Sequence, residues 1–104
     1  NYGDVGILLG NLLDNAIEAC EKTKESFIDL KIKYVKNTIF ISINNSKNSE
    51  KVNIESTSKE DKENHGYGIY NIRNIVRLYG GFIEFHDRGN VFEISLSLNG
   101  IKAM

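Results

Sequence analysis

The sequence has no excess of charge of either sign, with thirteen Lys and Arg against fourteen Asp and Glu and a formal net charge of −1. That balance excludes a domain-wide basic field of the kind that draws nucleic acid. Long apolar runs are also missing: none approaches the roughly 20 residues that a bilayer-spanning helix needs. A single cysteine, Cys20, rules out an internal disulfide and fits a reducing compartment. Its place in a helical apolar pattern makes it a small core residue rather than a nucleophile. There is no basic leader at Asn1–Asp4, no internal repeat, no low-complexity tract, and no phosphate loop of the Gly-x-x-x-x-Gly-Lys-Ser/Thr type.

What remains is the composition of an ordinary globular chain: 104 residues, 40% hydrophobic and 26% charged. Such a length holds one modest core. Residues 1–104 therefore read as one domain. Because the apolar periodicity begins almost at once, the chain looks like a domain truncated at its N-terminal edge.

From Val5 to about Thr23 the apolar residues recur at helical spacing, with Asp4 as the expected cap and Leu8, Leu9, Leu12, Leu13, Ala16 and Ile17 as the buried stripe. The period then changes to two. Ile28, Leu30, Ile32 and Tyr34 alternate with charged residues, and after Lys36-Asn37 a second run carries Ile39, Ile41 and Ile43, which predicts a hairpin. From Asn45 to Asn64 the chain is polar and charged, a loop of the length used for lids. Its cluster Lys59-Glu60-Asp61-Lys62-Glu63 reads as a solvated face. Helical spacing returns through Ile69, Ile72, Val76 and Tyr79 until Gly80-Gly81 stops it. A closing hairpin, Phe82 to Asp87 and Val91 to Leu98, turns at Arg88-Gly89-Asn90. Helices on one side of these strands predict an α+β, two-layer α/β sandwich with a mixed or antiparallel sheet.

Two constellations carry chemistry. Asn11 and Asn15 lie one helical turn apart, so both amides leave the same side of an otherwise apolar helix. A buried amide is costly unless it is hydrogen-bonded, and its oxygen is a neutral, hard acceptor able to enter a Mg²⁺ shell. Two helical amides by themselves also fit solvent-facing or backbone-capping roles. The second constellation is His65-Gly66-Tyr67-Gly68, where glycines before a helix allow close backbone approach and the helix start offers free N–H groups to an anion. By itself it equally fits a plain loop-to-helix junction.

Together, Asn11-Leu12-Leu13-Asp14-Asn15-Ala16 and Gly66-Tyr67-Gly68-Ile69-Tyr70-Asn71-Ile72-Arg73 resemble the N box and second glycine box of Bergerat-type (GHKL) ATP-binding domains. Arg77-Leu78-Tyr79-Gly80-Gly81 is similar to the helix ending that follows in histidine kinases. The resemblance implies the Bergerat fold, a lid over about 45–64, and Mg²⁺ and ATP as ligands. It implies a metal-binding role for Asn15. Asn11 takes a position that is a glutamate base in gyrase-like relatives; an amide takes no proton, which turns the expectation from ATP hydrolysis to phosphoryl transfer.

By the same resemblance, Asn44 stands at the adenine-facing position in place of aspartate, and the first glycine box is otherwise missing. His65, Gly66, Tyr67, Gly68, Ile69 and Arg73 complete the expected nucleotide site. Glu18 stands where many histidine kinases have a lysine. Neither His65 nor His86 is expected to be a phosphoacceptor, since in the family that histidine lies on a separate dimerisation domain, upstream of this chain. The details are most similar to the agr-type peptide quorum-sensing kinases. The implied partners are ATP, the histidine-bearing dimerisation domain and a response regulator, with no nucleic acid and no direct membrane contact. The implied location is a cytoplasmic domain of a membrane-resident parent. Two alternatives share the fold: a degenerate protein-docking module with little nucleotide affinity, and an anti-sigma-factor-like serine kinase.

Overall fold

The computed structural model describes residues 2–48 and 66–102, with side chains described for 3–48 and 69–102. Six elements follow in the expected order: α1 (Tyr2–Cys20), β1 (Ile28–Val35), β2 (Thr38–Ser46), α2 (Gly66–Leu78), β3 (Ile83–Asp87) and β4 (Val91–Leu98). The strands form one antiparallel sheet in the order β1-β2-β4-β3. The architecture is therefore α+β, with a four-stranded antiparallel sheet and two helices.

Local chemistry sets the turns. Lys36 and Asn37 both take positive φ, 50° and 66°, which is the backbone of a two-residue hairpin turn and fixes the register of β1 on β2. At the end of α2, Gly81 N–H donates to the Val76 carbonyl and Gly80 N–H to that of Arg77, both at 3.0 Å, with Gly80 at φ 63°. This is a Schellman ending, in which the left-handed residue is glycine because it has no Cβ to clash. Gly81 is fixed by a second constraint. A Cβ there would lie 1.7 Å from the Ser97 carbonyl oxygen, so any side chain would displace β4.

The core lies between the helices and one face of the sheet. Leu8, Leu12 and Ala16 of α1, Ile69, Ile72 and Val76 of α2, Ile41 and Ile43 of β2, and Phe92, Ile94, Leu96 and Leu98 of β4 are all buried. α1 packs on α2 and β2, and α2 packs on β4.

Three expectations change. Asp4 is not a cap: it lies inside α1, and its carboxylate accepts a hydrogen bond of 2.7 Å from the Tyr79 hydroxyl. Ile17 is 50% exposed, while Cys20 sits half-buried at the margin with Sγ 3.4 Å from Ser46 Oγ. β1, whose alternation reads as half-buried, is exposed along its whole length, because it is an edge strand beyond the two helices.

Candidate functional site

Helix geometry places the two amides. Residues seven and eleven positions after Asp4 return to nearly the same angle on an α-helix, so Asp4, Asn11 and Asn15 share one flank of α1. Asp4 meets Tyr79 at the end of α2, so this flank faces α2. The same contact joins the start of α1 to the end of α2, so the helices run in opposite directions. A rise of about 1.5 Å per residue then carries the start of α2 back to the Asn15 end of α1. There the first turn of α2, Gly66-Tyr67-Gly68, offers backbone N–H groups without intrahelical partners.

Both amides are half-buried, and the Nδ2 atoms of Asn11 and Asn15 are fully buried with no hydrogen-bond partner among the described residues. Leaving such a donor unpaired costs about 1–3 kcal/mol. Two orphans on one flank are the donors that a polar ligand there would satisfy.

β2 supplies the next group. Ile41, Ile43 and Asn45 alternate onto the helix-covered face, and Asn45 is only 4% exposed. Its Nδ2 donates to the Ser46 carbonyl at 3.0 Å, which leaves Oδ1 as an acceptor. Asn44 lies on the opposite, open face with Phe40 and Ser42, in register with Asp29 and Glu93. The structure thus does not bring Asn44 together with Asn11 and Asn15; its neighbour Asn45 shares their side of the sheet. The two-residue period of Ile39, Ile41 and Ile43 points to Asn45 as the residue turned toward the helices.

Lys47 is a second residue that sequence reasoning passed over. Its ammonium is buried and pairs with Asp87 Oδ1 at 3.1 Å while donating to the Asn48 carbonyl at 2.9 Å. Its backbone N–H bonds the Asn90 carbonyl at 2.9 Å. This pairing offsets the desolvation of a buried cation and ties the chain leaving β2 to the β3–β4 turn.

Arg73 meets an aromatic pair. Its guanidinium lies over the Phe85 ring, 5.3 Å from the centroid, and Phe85 stacks on Phe92 with centroids 6.2 Å apart. That contact is on the β3 side of α2, away from the flank that carries Tyr79 and meets α1. Arg73 thus sits on a flank of α2 other than the one that carries Tyr79. With Arg77, Val76, Gly81, Ile83 and Phe85 it lines a separate cavity of about 400 Å³. Ile69 is buried in the core, where an apolar side chain contributes packing. Of the lid expected over about 45–64, Asn45 and Ser46 belong instead to β2 and Lys47 is tied to the β3–β4 turn, because the isoleucine alternation carries the strand on to Ser46; residues 49–64 and His65 lie outside the described residues.

The chemistry available is that of neutral donors and acceptors. Among the described residues no group of three His, Cys, Asp or Glu could hold a metal ion. A divalent ion here would take few protein ligands, the Asn15 amide oxygen foremost, as Mg²⁺ does when phosphates and waters fill its shell. Asn11 and Asn15 fit such a group, since binding oxygen-rich ligands would also satisfy their orphaned Nδ2 atoms.

A two-layer α+β domain whose functional groups sit between the first helix, the second helix and the sheet is the architecture of histidine kinase catalytic domains. The histidine kinase domain of the blue-light-activated kinase from Erythrobacter litoralis EL346 superposes with a TM-score of 0.74 at 13% identity, covering 94% of this chain and 47% of that one. The nucleotide-free catalytic domain of histidine kinase ThkA gives 0.70 at 22% identity, covering 95% and 67%. Acinetobacter baumannii histidine kinase AdeS gives 0.69 at 16% identity, covering 95% and 47%. The chain thus spans about half the length of the EL346 and AdeS chains. The sequence model described as the GHKL domain matches residues 1–99, and the chain belongs to that family. No curated protein matches it. Among the described residues, no helix is long and apolar enough to cross a membrane.

Proposed function

We propose that this chain is the ATP-binding catalytic domain of a sensor histidine kinase, most similar to the agr-type quorum-sensing kinases, and that it donates the γ-phosphoryl group to a histidine on a separate dimerisation domain. The observation that carries this reading is the pair of orphaned, buried amides on the α2-facing flank of α1. Asn15 supplies its amide oxygen to Mg²⁺. Asn11 holds the neighbouring shell or the incoming group and, being an amide, accepts no proton from water; the site therefore favours transfer over hydrolysis. Asn45 Oδ1 accepts from the adenine amino group, the role first given to Asn44. The start of α2 at Gly66-Tyr67-Gly68 faces the phosphates with its free N–H groups. A bound Mg²⁺ supplies charge neutralisation on the phosphates, and this domain's own contribution is positioning.

ATP places the domain on the cytoplasmic side of a parent that senses its signal at the membrane and passes phosphate to a response regulator. Calorimetry with Mg·ATP on wild type, Asn15→Ala and Asn45→Ala tests the assignment. Wild type binds and each variant loses at least tenfold; equal binding by all three would sink it.

The neutral amide at position 45 favours one other reading, a docking module with little nucleotide affinity. Under it, wild type binds poorly and Asn45→Asp gains affinity sharply; under the kinase reading, wild type already binds.

A further inference from the structure

The sheet has two faces, and only one is covered. The open face carries three cross-strand rows fixed by the register: Lys33, Phe40, Ser97 and Phe82; Lys31, Ser42, Ser95 and Glu84; and Asp29, Asn44, Glu93 and His86. Phe40 and Phe82 are 41% and 51% exposed, while Ser97 between them is buried. The small serines leave a groove of about 390 Å³ beside these rings and Lys31 and Lys33. Exposed aromatic side chains above a floor of serines form a shape that a complementary sheet can enter.

The charges on this face are self-complementary. Lysines stand on β1 at one edge, while Glu84 and His86 stand on β3 at the other. A two-fold axis parallel to the strands, lying between two sheets packed about 10 Å apart, would set β1 of one copy over β3 of the other and β2 over β4. Each row would then meet itself reversed. Lys31 falls opposite the second copy's Glu84, Asp29 opposite His86, and Lys33 opposite the Phe82 ring, where a cation is attracted to the aromatic face. Phe40 falls over Ser97, a large group over a small one. The geometry is isologous, so every favourable contact occurs twice.

We propose that the open sheet face is a dimer interface, occupied by the same face of a second copy of this chain. Three strands about 26 Å long and the shorter β3, about 17 Å, spaced about 4.8 Å apart, give an interface of about 900 Å² counting both copies. That falls just below the usual lower limit for a stable specific interface, so the dimer is weak and reversible.

Sedimentation velocity of this chain from about 10 μM to 1 mM, the range in which weak dimers form, reads the association directly. Lys31→Glu and Glu84→Lys should each weaken the dimer at least tenfold at low salt, and the double exchange should restore it. Phe40→Ser should abolish it while the far-ultraviolet circular dichroism stays unchanged. A chain that stays monomeric at the highest concentration overturns the proposal. So does a dimer that both single reversals leave intact, or one that the double exchange fails to restore, since either result assigns association to another surface.

Discussion

The two faces of this sheet are built from the same strands and do opposite things. Toward the helices, β2 and β4 present Ile41, Ile43, Phe92, Ile94, Leu96 and Leu98, all buried. Toward the open side, β2, β4 and the neighbouring edge strands present Lys31, Phe40, Ser42, Ser95 and Glu84. One residue along a strand exchanges one set for the other. The covered face supplies the stability, and the helix packed on it, α1, carries the two unsatisfied amides, Asn11 and Asn15. The open face pays no such cost, and charged groups there pair with each other, as Arg88 does with Glu93 at 2.7 Å and Lys31 with Asp29 at 3.8 Å.

The sharpest way to break this contrast is to truncate one residue on each face. Leu12→Ala should lower unfolding free energy by about 2–5 kcal/mol, the cost of a cavity in a packed core. Lys31→Ala should change it by no more than about 0.5 kcal/mol, as exposed substitutions do. Urea denaturation of both variants checks the difference, and similar losses would mean that the open face carries core-like energy. A smaller effect with the opposite sign is expected at the site. Asn15→Leu removes a buried unpaired donor, so the ligand-free domain should gain about 1–2 kcal/mol while the Mg·ATP-induced rise in melting temperature disappears.

The smallest effect concerns the link between the helices. The hydrogen bond to Asp4, with some desolvation and the charge of that carboxylate, raises the Tyr79 phenol above its ordinary value. A raised phenol binds its proton more tightly folded than unfolded. Its contribution is therefore whole below about pH 10 and fades as pH rises through the higher folded value. Melting temperatures from pH 8 to 11 should fall more steeply for wild type than for Tyr79→Phe, beyond the loss common to both.

Local rules made much of this fold legible. Asn37 and Gly80 sit at positive φ, which asparagine and glycine adopt most readily, so their turns could be read without knowing the partner strand. The helix-spaced stripe Leu8, Leu12, Ala16 likewise needs no tertiary information. Where reading failed, the deciding contact was distant or a matter of phase. Asp4 reads as a cap because its bond to Tyr79 spans 75 residues. β1 alternates like a half-buried strand, and only the sheet order shows that it is an edge strand exposed along its length. Asn44 and Asn45 were separable from sequence, since the alternation of three isoleucines fixes which one turns inward.

The pairing of β2 with β4 has a consequence for how fast the molecule forms. Ile39 opposite Leu98 and Ser46 opposite Val91 join halves of the chain that are each locally complete, one with a hairpin after α1, the other with a hairpin after α2. Those hairpins close over a few residues, in microseconds, whereas the central seam must wait for the chain between residues 46 and 66 to bring its ends together. That wait costs entropy which grows only logarithmically with length, about 0.6 kcal/mol for each doubling. The segment between the halves can therefore be lengthened and rewritten for function with little effect on folding speed, while a change in the β2–β4 seam would be felt in every folding event.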